Sequence, residues 1–231
     1  MSNIGRKDRQ LWYDFNSIQP RKPLSAQDRI KFMFGDILEL ILIFLAKEAG
    51  HDVTKEQAEV KLDGITGHID AIIDDVLVDA KSCSSFSFSK FVKGDLKDDP
   101  FGYQAQLAGY CEASGGMDGA FLAIDKQHGD ITLLPIGSQK LKQYEVKDRI
   151  KRIKAVLSKS SPPERCYEDV PHGKSGNRML STGCKFCAHK FECWSDVNDG
   201  TGLATYTYSD GLTYLTKVTK EPKVPKISIK E

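Results

Sequence analysis

Gly67-His68-Ile69-Asp70-Ala71-Ile72-Ile73-Asp74-Asp75-Val76-Leu77-Val78-Asp79-Ala80-Lys81 holds the pattern that organises the rest of the chain. Apolar and polar residues alternate on either side of an acidic pair, the pattern of two short strands joined by a two-residue turn at Asp74-Asp75. With that turn Ile73 pairs with Val76. Counting outward places Asp70 opposite Asp79 and His68 opposite Lys81, all four on one sheet face. Two carboxylates facing each other across an antiparallel pair repel, and the hairpin is destabilised unless positive charge lies between them. Oxygen donors at this spacing suit Mg²⁺ or Mn²⁺, and Lys81 projects its ammonium toward the same place. This is phosphodiester-cleaving chemistry in outline.

The rest of the composition is less selective. A chain of 231 residues can build one substantial core and an appendage. Its 33 Lys and Arg against 32 Asp and Glu leave a net charge of +1, which singles out no partner class. The first 23 residues are polar and carry Arg, Lys and Pro, unlike a signal peptide. The longest apolar run, Ile37 to Ala46, is too short to span a bilayer and contains Glu39. The chain therefore reads as soluble and cytoplasmic, with no membrane partner. Six cysteines in that compartment suggest metal or redox chemistry more than disulfides.

Four segments are expected: an N-terminal arm (1–24), a core (25–160), a cysteine-rich module (161–200), and a C-terminal hairpin with a basic tail (201–231). Ser25 is placed to cap a helix through about Ala49. In it Phe34, Ile37, Leu38, Ile41, Leu42 and Leu45 follow the spacing of a core-facing stripe. Strands are expected near Val60–Leu62, Thr66–Ile73 and Val76–Lys81. A Ser/Phe-rich loop from Ser82 to Phe91 and a charged stretch ending at Pro100 come next, then a helix over Tyr103–Ala113 and strands at Ala120–Ile124 and Ile131–Ile136. A further helix spans Ser138 to Ser158, with Val146, Ile150, Ile153 and Leu157 inward and a basic outer face. From Lys140 to Lys159 eight Lys or Arg oppose Glu145 and Asp148. The order is α-β-β-β-α-β-β, and a hairpin is expected around Ser209-Asp210-Gly211.

Glu39 is the only charge between Ile37 and Ala46, at the edge of the apolar stripe, where an unpaired carboxylate is expensive to bury. An acid on a helix, then Gly-x-x-Asp, Asp-x-Lys, and a helix bearing Gln106 and Tyr110 resembles the PD-(D/E)xK nuclease superfamily. Within it the order is similar to the RecB-like branch, which holds CRISPR-adaptation nucleases and phage-type recombination exonucleases. The resemblance runs from about Phe32 to Trp194. It implies a restriction-endonuclease-like α/β fold, an αβββαβ core with a mixed central sheet. It also implies that Asp70 and Asp79 ligate Mg²⁺ or Mn²⁺ and that Ala80 offers its carbonyl. Lys81 would orient or activate the attacking water, while Gln106 and Tyr110 steady the metal site or the DNA backbone. That branch usually places His four residues after a helical Gly; counting from Gly35 reaches Glu39, so a carboxylate would stand in as the metal ligand. Asp79 occupies a position where Glu is commoner.

Cys184-Lys185-Phe186-Cys187 followed by Cys193-Trp194 is a C-x₂-C-x₅-C array in a segment rich in turns and charges, and clustered thiolates usually hold a metal. The iron–sulfur members of the same branch carry a similar trio, with a fourth cysteine far upstream. No cysteine precedes Cys83 here, so Cys166 is nominated as the fourth ligand of a [4Fe–4S] cluster. Structural Zn²⁺, with His189 or His172 as a further donor, is the alternative. Cys83 and Cys111 read as ordinary small apolar residues.

These features point to a metal-dependent deoxyribonuclease, an exonuclease acting on DNA ends or single strands in recombination, repair or phage replication, with recombination or replication proteins as partners. A structure-specific endonuclease and a catalytically silent nucleic-acid-binding metalloprotein are the alternatives. Phosphate contacts are expected from the basic helix and from Lys217, Lys220, Lys223, Lys226 and Lys230, and base stacking from Phe86, Phe88 and Phe91.

Overall fold

The computed structural model describes residues 1–17, 25–96 and 101–228. The chain forms two compact units, one of Met1–Arg6 and Lys22–Ala155, the other of Lys7–Arg21 and Val156–Glu231. Helix α1 (Asp8–Asn16) occurs where the sequence suggests only an arm, and it belongs to the second unit. The end of that arm, 18–24, and the end of the charged stretch, 97–100, lie outside the described residues.

In the first unit helix α2 (Ala26–Glu48) begins as expected, the Asp28 N–H donating to Ser25 Oγ at 3.1 Å. Strands β1 (Val53–Thr54), β2 (Glu59–Leu62), β3 (Ile65–His68), β4 (Ala71–Ile73) and β5 (Val76–Cys83) follow. After helices α3 (Ser85–Lys93) and α4 (Tyr103–Ala113) come strands β6 (Gly119–Asp125) and β7 (Ile131–Ile136), then helices α5 (Ser138–Lys142) and α6 (Val146–Leu157). The main sheet has the order β1-β4-β5-β6-β7. Only β5 and β6 run parallel, so the sheet is mixed. β6 is buried along nearly its whole length, as a central strand covered on both faces must be.

The deciding hairpin forms in the expected register, Ile73 against Val76 and Ala71 against Val78. Asp74 and Asp75 both take positive φ, 48° and 63°, the conformation a two-residue hairpin turn demands. The Asp74 carboxylate steadies the turn through His51 Nδ1 at 2.6 Å and the Asp52 N–H at 3.0 Å.

The chain departs from the sequence reading before Ala71. The Ile69 N–H donates to the Ala58 carbonyl and the Gln57 N–H to the Asp70 carbonyl, which breaks the long expected strand in two. β3 then pairs with β2, so His68 lies opposite Glu59 and exposed, not opposite Lys81. The Ser82–Phe91 stretch is mostly helix: Ser84 Oγ accepts from the Ser87 N–H and Gly94 closes α3 in the left-handed region, so capping offsets the weak helix propensity of Ser and Phe. The helix expected over Ser138–Ser158 is broken between α5 and α6, where Glu145 has φ 45°.

The stripe assigned to the core in α2 is the larger correction. Of its members only Leu42 is buried; Phe34, Ile37, Ile41 and Leu45 are exposed. The face packed on β5 and β6 carries Gly35, Leu38, Glu39, Leu42 and Ala46. α2 is apolar on two sides, and the less hydrophobic side faces the sheet because Glu39 belongs there.

The second unit holds α1, β8 (Val170–Pro171), β9 (Arg178–Met179), α7 (Thr182–Lys185), α8 (Lys190–Cys193), β10 (Ala204–Tyr208), β11 (Gly211–Lys217) and β12 (Lys226–Ile227). β10 and β11 form the expected hairpin across Ser209-Asp210, with Tyr208 against Gly211. The five strands make one sheet, β12-β10-β11-β9-β8. The cysteine segment and the hairpin therefore share a unit, and Leu180, Cys184 and Trp194 give it a small core of its own, packed by Tyr167, Val197, Leu203 and Tyr214. Among the described residues no helix is long and apolar enough to cross a membrane.

Candidate functional site

Asp79 and Lys81 are two residues apart on β5, so both side chains leave the same face of the sheet. Asp79 is 2% exposed, and its Oδ2 lies 2.5 Å from Lys81 Nζ. Asp70, just outside the ladder, accepts the Ala80 N–H at 2.7 Å through Oδ2, so its carboxylate takes the place of a strand neighbour. Asp70 and Asp79 lie one step beyond the Ala71–Val78 pair, near enough for the Asp79 charge to act on Asp70. Burial, then the neighbouring Asp79 and Glu39 charges, pushes the Asp70 carboxyl up to about 7.

Glu39 reaches this centre from α2, with Oε1 accepting a hydrogen bond from Gln57 Nε2. Burial raises its pKa; Lys81 works against that, while the charges of Asp36 and Asp79 add to it. For Lys81 burial favours the neutral amine, but the charge and hydrogen bond of Asp79 outweigh it and hold the ammonium above its ordinary range. Lys81 Nζ also lies 5.0 Å from the centroid of the Tyr103 ring. Tyr103 stacks on the exposed Phe101, with centroids 5.4 Å apart and planes 21° from parallel. Gln57, Tyr103 and Phe101 were not singled out by sequence, because they join the site from loops and helix starts with no motif spacing.

The structure thus brings together Glu39, Asp70, Asp79, the Ala80 backbone and Lys81. Tyr110 is buried in α4, its hydroxyl 2.9 Å from Ser2 Oγ and its ring packed on Gly67 of β3. A Cβ built on Gly67 would stand 2.7 Å from Tyr110 Cε1, so Gly67 is the residue that lets β3 lie against the ring. Gln106 is half-buried one turn before Tyr110, on the same side of α4. As the side chains stand, no three His, Cys, Asp or Glu are gathered to hold a metal ion among the described residues.

The aromatic and basic groups expected at DNA are partly used by the fold. Phe91 is core, edge-on to Phe121 at 5.5 Å, and Phe88 is half-buried. Phe86 is exposed with Lys90 Nζ over its ring. On α6, Lys147 pairs with Glu112, Lys154 donates to the Asp63 carbonyl, and Arg149 holds the Ile4 and Arg6 carbonyls, so this face is largely tied to its own unit. Lys230 lies outside the described residues.

In the second unit Cys166, Cys184, Cys187 and Cys193 line one small cavity of about 30 Å³ together with Arg9, Tyr13 and Trp194. Arg9 Nε donates to Cys193 Sγ at 3.1 Å. Burial raises the pKa of Cys166, Cys184 and Cys187, and the Cys193 charge adds to it in each. His189 points instead to Asp14, Nε2 to Oδ1 at 2.9 Å, and stacks on Tyr13.

No protein-family model and no curated protein matches the chain. Among solved structures it is similar to an alkaline exonuclease of Laribacter hongkongensis (17% identity, TM-score 0.42, 67% of this chain and 91% of that one). A phage-related exonuclease of Haemophilus somnus 129PT gives 16% identity and TM-score 0.47, with 68% and 89% covered. A structure described as SSO0001 gives 18% identity and TM-score 0.41, with 81% of each chain covered.

Proposed function

We propose that the chain is a metal-dependent nuclease that hydrolyses phosphodiester bonds in DNA, working as an exonuclease on ends or single strands in recombination, repair or phage replication. The observation that carries this is the imbalance of charge at β5. Asp79 contacts the Lys81 ammonium, Glu39 and Asp70 lie within the reach of its charge, and Asp70 shows the strain of three carboxylates around one cation as a carboxyl pushed up to about 7. All the donors are oxygen, which fits Mg²⁺ or Mn²⁺ and not a soft metal. Glu39, Asp70, Asp79 and the Ala80 carbonyl are the groups that would hold it. Bound there, the ion supplies positive charge for the phosphoryl oxygens and lowers the proton affinity of water.

The chain's own residues do the rest. Lys81 stays charged, so it cannot take a proton from water; it donates hydrogen bonds, orienting the attacking water and countering charge on the phosphate. Asp79 fixes where that ammonium sits. Gln57 keeps the Glu39 carboxylate turned toward the centre. Phe101, stacked on Tyr103 beside Lys81, offers an exposed ring on which an unpaired base can rest. Tyr110, whose ring packs on Gly67, acts through the position of β3, and Gln106, one turn earlier on the same side of α4, steadies the metal site or the DNA backbone.

The four-cysteine cavity in the second unit is proposed to hold a [4Fe–4S] cluster through Cys166, Cys184, Cys187 and Cys193. Cys184 is buried and Cys166, Cys187 and Cys193 are half-buried around one space, and the guanidinium on the Cys193 sulfur favours the thiolate form such a group needs. Such a group ties together a segment whose own core is small.

The test is cleavage of end-labelled linear and covalently closed circular DNA with Mg²⁺, Mn²⁺ or EDTA. An exonuclease degrades the linear DNA only, and only with metal. Cutting of the closed circle makes the enzyme an endonuclease, and no cutting of either form refutes the catalytic reading.

A further inference from the structure

We propose that the outward face of α2 is a self-association surface, on which a second copy of this chain lays its own α2 antiparallel. The inference is independent of the nuclease reading. Ile30, Phe34, Ile37, Ile41 and Phe44 recur at spacings of four, three, four and three. This is the alternation of a two-helix seam, in which each side chain enters a hole between residues of a facing helix. Met33, Leu40 and Leu45 widen the seam on both sides, and all eight are between 41% and 64% exposed. They stand opposite Leu42 and Ile43, the residues α2 buries.

Size and charge select the occupant. Side chains this large and about half exposed leave on the order of 100 Å² each in water, roughly 800 Å² for the eight, which is what one partner buries in a specific interface of standard size. A continuous apolar patch of that area is larger than a solitary soluble protein usually carries. Between Ile30 and Leu45 the seam itself holds no charge; Glu48 continues it at one end, and the exposed Arg29 flanks it at the other. Parallel pairing of two copies would set Glu48 against Glu48. Antiparallel pairing sets Glu48 of each copy against Arg29 of the other, twice, as a two-fold axis requires.

The experiment is light scattering on the full chain eluting from a sizing column over a range of loadings. The expected mass is twice the 25.7 kDa of the chain. Ile37→Lys with Ile41→Lys should elute at the single-chain mass with an unchanged far-ultraviolet circular dichroism spectrum, since neither side chain is buried. Arg29→Glu should raise the dimer dissociation constant at least tenfold, and Arg29→Glu combined with Glu48→Arg should restore it. A wild-type chain that is monomeric at every loading overturns the proposal, as does a mass of three copies or failure of the charge swap to restore pairing.

Discussion

Replacing Asp70 with Asn should stabilise the metal-free protein at neutral pH and leave it nearly unchanged in acid. The folded chain holds the Asp70 carboxyl near 7 instead of the usual 3.8, through burial and the charges of Asp79 and Glu39. A raised acid pKa means that ionisation costs more in the folded state. The contribution of this one group to stability is therefore greatest below about pH 4, falls as pH climbs from about 4 to 7, and levels off above. At about 1.4 kcal/mol per pH unit the ceiling is roughly 4 kcal/mol. Because three carboxylates share the strain, about half of that, ~2 kcal/mol, should appear on substituting one of them. Asn keeps an oxygen for the Ala80 N–H, so the backbone contact survives. In EDTA the variant should melt roughly 4–8 °C above wild type at about pH 8, with the gap closing toward pH 4. In Mg²⁺ the order should reverse, because the ion stabilises only the chain that binds it. A gap that does not change with pH, or a variant less stable than wild type at pH 8 in EDTA, would show that the folded chain does not strain the Asp70 carboxyl.

Three further outcomes follow from other residues. Glu39→Gln should shift the metal midpoint of cleavage at least tenfold upward, with partial rescue by Mn²⁺; an unchanged midpoint would show that Glu39 is not a ligand. Phe101→Ala should raise KM for single-stranded DNA severalfold and leave kcat largely intact, consistent with about 1–3 kcal/mol of stacking per base, whereas a loss confined to kcat would deny the stacking role. Anaerobic protein should be brown with about four irons per chain; Ser at Cys166 should bleach it as fully as Ser at Cys184, while Cys83→Ser should not. Stoichiometric zinc in a colourless protein would mean that the cavity holds a different metal.

The deciding hairpin was legible because a two-residue turn and a period of two leave only one register, and that register put Asp70 beside Asp79. The same counting failed one step further out, at His68, because Gln57 and Ala58 bond the backbone at Ile69 and Asp70 and divert β3 to another partner. Periodicity could find the helix at Ala26–Glu48 but not its inner face. Both sides of α2 are apolar, and Glu39, which looked like an exception at the edge of the core stripe, marks the side that faces the sheet. α3 was missed because its helix is held by caps at Ser84 and Gly94 and not by propensity. Gln57, Tyr103 and Phe101 had no sequence signal; they become neighbours of Glu39 and Lys81 only once the chain is folded. Cys166, which follows the Pro162-Pro163 break, lines the same cavity as Cys184, Cys187 and Cys193.

Asp79 and Lys81, 2.5 Å apart on β5, are proposed as the phosphodiester-cleaving centre. That role is tested most directly by following nucleotide release from 5′- and 3′-labelled linear DNA in Mg²⁺ with wild type, Asp79→Asn and Lys81→Ala side by side, each checked for unchanged circular dichroism. Wild type should shorten the DNA from an end, and each variant should lose at least a hundredfold in rate while remaining folded. Full activity in either folded variant would contradict that role.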